Sequence, residues 1–122
     1  MIGDDLLEAI TSHPHVKDIH MEGCSGVTDV GIRRLLADEN CKIASISLAR
    51  CKISSLALVG ISVNIHLKSL YLDFNPNLDV SVFQELSRLR QLKDLSVVGC
   101  QLSDSHVEGL LQENFSLKNL YL

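Results

Sequence analysis

Residues 67–75 read Leu67-Lys68-Ser69-Leu70-Tyr71-Leu72-Asp73-Phe74-Asn75, with leucines at 67, 70 and 72 and an asparagine at 75. The same frame recurs as Val16-x-x-Ile19-x-Met21-x-x-Cys24, Ile43-x-x-Ile46-x-Leu48-x-x-Cys51, Leu92-x-x-Leu95-x-Val97-x-x-Cys100 and, incomplete, Leu117-x-x-Leu120-x-Leu122. The steps between starts are 27, 24, 25 and 25 residues. Recurrence at such a step marks a solenoid, in which each unit has an apolar face that it can bury only against its neighbours.

Within each unit, alternation at Ile19/Met21, Ile46/Leu48, Leu70/Leu72 and Leu95/Val97 is the period of a short strand with one buried face. A further apolar residue follows (Val27, Ile53, Leu78, Leu102), then polar residues able to cap a helix: Thr28-Asp29, Ser54-Ser55, Asp79 and Ser103-Asp104. Helical spacing then takes over, with Ile32/Leu35, Leu58/Ile61, Phe83/Leu86 and Val107/Leu110 as inward-facing pairs. Each unit is thus expected to be one strand and one helix. The whole is an α/β solenoid with a parallel sheet on the concave face and helices on the convex face.

The expected organisation is one domain over residues 1–122. Residues 1–15 form an N-terminal half-repeat or capping helix, because Ile2, Leu7 and Ile10 fall where Val27, Ile32 and Leu35 fall one unit later. Repeats begin near 16, 43, 67 and 92, and a terminal strand occupies 117–122. A last strand without a following helix leaves backbone groups and apolar side chains open. Either the array is longer or something covers that edge.

Composition fits this picture. The chain has 122 residues, 46% of them hydrophobic, but only 4% aromatic and no tryptophan, so many small equivalent slots fill the core. With 15 acidic against 11 basic residues the net charge is −4, which offers no general attraction to nucleic acid or anionic membranes. The acidic start Met1-Ile2-Gly3-Asp4-Asp5 is unlike a signal peptide, and no apolar run is long enough to span a bilayer. A cytoplasmic or nuclear setting is expected.

The pattern resembles the cysteine-containing subfamily of leucine-rich repeats, in which the strand ends in Cys and a Thr-Asp or Ser-Asp pair opens the helix. Cys24/Thr28-Asp29 and Cys100/Ser103-Asp104 match most fully, and the resemblance covers residues 16–122. Asn75 with Asp79, and residues 111–117, are closer to ribonuclease-inhibitor-like or tropomodulin-like repeats. Cysteine-type repeats occur in substrate-recruiting subunits of ubiquitin ligases, where an F-box precedes them. No F-box is visible in the residues before the first strand.

Chemistry-bearing residues are read against this frame. Cys24, Cys51 and Cys100 share one repeat position, so they are expected to be buried, reduced and structural, with Cys41 the thiol most open to reagents. Adjacent strands would bring Cys24 and Cys51 close enough that distance alone does not exclude a disulfide. Close Cys-x-x-Cys pairs of the zinc type are missing, and no cofactor is expected. Asp104-Ser105-His106 contains three triad residue types, but consecutive positions on a helix diverge and cannot relay a proton. His13-Pro14-His15 belongs to the turn before the first strand, and Asn114-Phe115-Ser116 is a glycosylation sequon by pattern. No enzyme activity is expected.

The concave face carries the functional expectation. Its columns are Asp18, Ser45, Ser69, Asp94, Asn119; then His20, Ser47, Tyr71, Ser96, Tyr121; then Glu22, Ala49, Asp73, Val98; then Gly23, Arg50, Phe74, Gly99. The partner-binding residues expected there are His20, Glu22, Arg50, Tyr71, Asp73, Phe74, Asp94 and Tyr121, with Tyr71 as anchor and small neighbours leaving room around the aromatic rings. A row of lysines, Lys17, Lys68, Lys93 and Lys118, broken by Ala44, reads either as a solvated edge or as a site for an acidic partner. Two functions follow. The first is a protein-binding scaffold or recruiting module, with ubiquitin-ligase adaptor implied by the resemblance. The second is an assembly subunit that docks through its terminal strand or convex face.

Overall fold

In the computed structural model, which describes residues 2–114 and 116–122, the five frames lie side by side as parallel strands in chain order. They are β1 (Asp18–His20), β2 (Ser45–Ser47), β3 (Ser69–Tyr71), β4 (Asp94–Ser96) and β5 (Asn119–Tyr121). Ile19, Ile46, Leu70, Leu95 and Leu120 are register partners across the sheet, as the repeat alignment requires. The first four of these, together with Met21, Leu48, Leu72 and Val97 in the adjacent slot, are buried. The helical layer contributes Ile32, Leu35, Leu58, Ile61, Phe83, Leu86 and Leu110 to the same continuous core. Val107, the remaining member of the inward pairs, packs only partly against it.

Helices α1 (Asp4–Thr11), α2 (Asp29–Leu36), α3 (Val82–Ser87) and α4 (Asp104–Glu113) occupy the other face. Thr28 caps α2 by accepting the Gly31 N–H, as its residue type favours. These caps are also tied to one another. Asp4 accepts the Thr28 N–H at 2.9 Å and hydroxyl at 2.5 Å, and Asp29 accepts the Ser54 N–H at 2.8 Å and hydroxyl at 2.6 Å. One unit later the polarity reverses: Ser55 accepts the Asp79 N–H and donates its hydroxyl to the Asp79 carboxylate, both at 3.0 Å. A lateral chain of carboxylates and hydroxyls therefore joins the first four convex units.

The second unit departs from the helix expected on Leu58 and Ile61. Two short 3-10 turns, Ser55–Leu58 and Ile61–Val63, take its place. Gly60 between them has a left-handed φ of 81°, which interrupts any helix, and β-branched Val59, Ile61 and Val63 disfavour one. Leu58 and Ile61 still reach the core.

The ends also depart in detail. Leu7 is buried and Ile10 partly so, but Ile2 is 46% exposed rather than equivalent to buried Val27. It precedes the bridge between Gly3 and Gly26 and has no strand beside it. At the other end Leu120 is half-buried, whereas Tyr121 and Leu122 are 51% and 68% exposed. Among the described residues no helix is long and apolar enough to cross a membrane.

Candidate functional site: the concave strip

The strands place the expected residues through their pleat. Because side chains alternate, the residues between buried positions project onto the concave face, and the in-register pairing stacks them in columns. His20, Ser47, Tyr71, Ser96 and Tyr121 are register partners. The next columns follow from backbone bonds beyond the strands, in which Gly23 donates to Ala49, Arg50 to Asp73 and Phe74 to Val98 at 2.8–3.0 Å.

Six of the eight expected residues meet in one place. His20, Glu22, Arg50, Tyr71, Asp73 and Phe74, with Ser47 and Ala49 between them, line a shallow concavity of about 340 Å³ on β1 to β3. The Arg50 guanidinium lies 2.6 Å from a Glu22 carboxylate oxygen and 4.3 Å from the Phe74 ring centre. An exposed ion pair contributes little to stability. Its consequence here is positional: a long side chain is held flat across the strip.

Gly23, Arg50, Phe74 and Gly99, the residues before each Cys or Asn, are all left-handed, with φ of 68°, 55°, 58° and 71°. The tight turn after each strand imposes this conformation, which two non-glycine residues adopt at a cost of about 1 kcal/mol each. The space that sequence alone leaves open at Gly99 is filled, because a Cβ there would overlap the Phe74 ring. Gly99→Ala should therefore displace that ring and destabilise the fold, whereas Gly23→Ala, with nothing within 4 Å, should cost only about 1 kcal/mol. Urea denaturation of the two variants checks the difference.

The other two residues stand apart. Asp94 accepts the Asn119 amide at 2.6 Å and the Ser69 hydroxyl at 2.7 Å, and those two bonds hold its carboxyl below the usual carboxylate range. Its oxygens serve the sheet. Tyr121 sits two strands from Tyr71 and does not line the concavity. Asp73 is also engaged: one oxygen accepts the Val98 N–H at 2.9 Å and the hydroxyl of Ser96, itself buried.

Beneath the strip, the repeat-position cysteines and Asn75 satisfy loop carbonyls. The Asn75 amide donates to Leu48 and Leu72 at 2.9 Å and accepts the Ile53 N–H at 3.2 Å. Cys51 and Cys100 donate more weakly to Met21 and Leu72, at 3.2 and 3.3 Å. All four cysteines are free, but their burial differs from expectation. Cys41 is buried, while Cys24 and Cys100 are half-exposed because each has a complete strand-and-turn neighbour on one side only. Burial raises the thiol pKa of Cys41, Cys51 and Cys100. A thiol reagent should label Cys24 first and Cys41 and Cys51 only on unfolding, which mass spectrometry of partially labelled protein would read.

The remaining motifs have structural uses. The His13 ring accepts the N–H groups of His15 and Val16, closing the turn before β1. Ser103 contacts the His106 ring and Ser105 at the start of α4, and Phe83 stacks on that ring. Asn114 of the sequon is buried, its amide donating to Leu86 and Leu89, so it is not presented for glycosylation; Phe115 lies outside the described residues. Among the described residues no group of three His, Cys, Asp or Glu converges as a metal set. Sequence reasoning missed Asn64, a buried post at the opposite rim that donates to the Ile43 carbonyl and accepts the His66 N–H.

The sequence matches no protein-family model. Solved structures resemble the fold throughout. The actin-binding site 2 of leiomodin-1 superposes with a TM-score of 0.79 at 20% identity, over 99% of this chain and 79% of that one. The tropomodulin C-terminal domain of Caenorhabditis elegans gives 0.76 at 20% identity, over 95% and 81%. A chain of the yeast Rad7 and Elc1 complex gives 0.83 at 20% identity, over 99% of this chain and 31% of that one, so this chain spans about a third of its length. With these structures the chain shares the architecture of a leucine-rich-repeat solenoid.

Proposed function

We propose that this chain is a protein-recognition module that takes its partner on the concave strip, as a scaffold or recruiting unit and not as an enzyme. The observation that carries the proposal is the convergence of His20, Glu22, Arg50, Tyr71, Asp73 and Phe74 around one concavity. Aromatic rings and an arginine on a rigid sheet are the side chains that dominate interface energies. The leiomodin-1 domain is an actin-binding site and the yeast chain belongs to a complex of Rad7 and Elc1, so similar architectures serve protein contacts. Within this class, recruitment of substrates to a ubiquitin ligase in the cytoplasm or nucleus rests on the cysteine-type repeat pattern. An assembly role through β5 is the second reading, favoured by the exposed Tyr121 and Leu122.

Tyr71→Ala separates the two. Tyr71 is half-exposed on the central strand, so the change should leave circular dichroism unaltered while partner affinity falls by about 2 kcal/mol. Asp73 is a poorer probe, because its carboxylate braces β4. Arg33→Glu on the exposed side of α2 should change nothing. Calorimetric titration with the purified partner measures all three, and loss of affinity only in Tyr121→Ala would favour the assembly reading.

A further inference from the structure

A second surface follows the rim where the chain enters each strand. Its residues are laced by backbone bonds: Ala44 donates to Lys17, Lys68 to Ala44, Lys93 to Lys68 and Lys118 to Lys93, at 2.7–2.8 Å. They are therefore stacked at the strand spacing, about 4.8 Å per step. Lys17, Lys68, Lys93 and Lys118 form a row of exposed ammonium groups interrupted only at Ala44. A recess of about 440 Å³ sits at the interruption, lined by Lys17, Lys42, Ala44, Ile65, His66 and Lys68. No carboxylate lines it, and among the described residues none of its lysines belongs to an ion pair. Ile65 beside them is 71% exposed, the most exposed large hydrophobic residue among those described.

Lysines 17, 42, 68, 93 and 118 gather here, leaving only Lys52 elsewhere, in a chain whose net charge is −4. Neighbouring like charges on adjacent strands destabilise the isolated sheet slightly, and an external anion would relieve that repulsion. We infer that this rim docks an acidic segment of a partner protein, with carboxylates of the segment on Lys17, Lys42 and Lys68 and an apolar side chain on Ile65. The row spans four strand steps, roughly 19 Å, which an extended peptide covers with about six residues. A nucleic acid fits less well. The discriminating feature is Ile65, exposed at the recess, on which a peptide can place an apolar side chain and a phosphodiester backbone has nothing to place. The rim is separate in position from the concave strip, so the two surfaces can be tested independently.

The test uses fluorescence polarisation of the full chain with a labelled twelve-residue Asp/Glu peptide carrying one central Leu, at low ionic strength. Lys17→Glu and Lys68→Glu should each weaken binding about fivefold and Lys68→Ala about half as much on a logarithmic scale, as exposed charge pairs allow. Ile65→Ser should reduce the affinity to that of the same peptide with Ser in place of Leu. Lys52→Glu and Tyr71→Ala should leave it within about twofold, as sites remote from the contact do. The inference is overturned if Lys52→Glu weakens binding as much as Lys68→Glu, which would mean a response to net charge alone. It is equally overturned if a twelve-nucleotide oligothymidylate displaces the peptide at lower concentration than unlabelled peptide does, or if millimolar inorganic phosphate displaces it completely. Failure of Tyr71→Ala to affect the natural partner would count against the concave site and leave this result standing.

Discussion

Leu70→Ala is expected to lower the melting temperature by about 10 °C or more, because truncating a fully buried leucine commonly costs about 2–5 kcal/mol. Leu70 has no exposed surface, lies on the middle strand and has Ile46 and Leu95 as register partners. The cavity would open where both halves of the array meet. In a short solenoid each unit is stabilised mainly by its neighbours, so damage at the centre uncouples the two ends. Thermal unfolding followed by circular dichroism checks this, and Leu95→Ala should behave alike. A melting point within two or three degrees of the unmodified protein would contradict the placement of β3.

Asn75→Ala is expected to be nearly as harmful, for a different reason. The asparagine is fully buried, and its removal strands the N–H of Ile53 and leaves the carbonyls of Leu48 and Leu72 with only their longer bonds from the Cys51 N–H and the Cys100 thiol. A buried polar group left without a partner costs about 1–3 kcal/mol, so loss of several bonds at once should exceed the effect of a typical surface change severalfold. Asn75→Cys gives the informative contrast. Cys51 and Cys100 hold the same position in neighbouring units, each thiol shared between two loop carbonyls. The cysteine variant should therefore recover part of the lost stability, measured as the urea midpoint, while Asn75→Leu should not.

Strand positions were legible in the sequence because burial there obeys a strict period of two, repeated at a nearly constant step. The register partners Ile19, Ile46, Leu70, Leu95 and Leu120 follow from that repetition alone. The second convex unit was not legible, since its apolar spacing suits a helix and only the combination of Gly60 with β-branched neighbours opposes one. Thiol exposure was misjudged at Cys24 and Cys100 because equivalence in sequence hides the difference between inner and outer units. For the concave strip, the columns were readable, but not how its side chains are already engaged. Asp73 and Asp94 have the composition of recognition residues, yet hydrogen bonds to Ser96, Ser69 and Asn119 turn their oxygens toward the sheet. The lysine recess gave one signal, the break at Ala44, whose meaning depends on Lys42, Ile65 and His66 being brought beside it by folding.

The fit of the Phe74 ring over Gly99 bears on how such an array can change over generations. Repeats invite the view that units are interchangeable parts, added by duplication or exchanged by recombination. A tandem copy of the third unit would set a second phenylalanine where Gly99 now stands, and the first ring would have to leave its present position. Moving the fourth unit elsewhere would leave the ring without its seat. The third and fourth units thus carry a matched pair of turn residues, and the present seat of the ring is kept only where a glycine follows it one unit later.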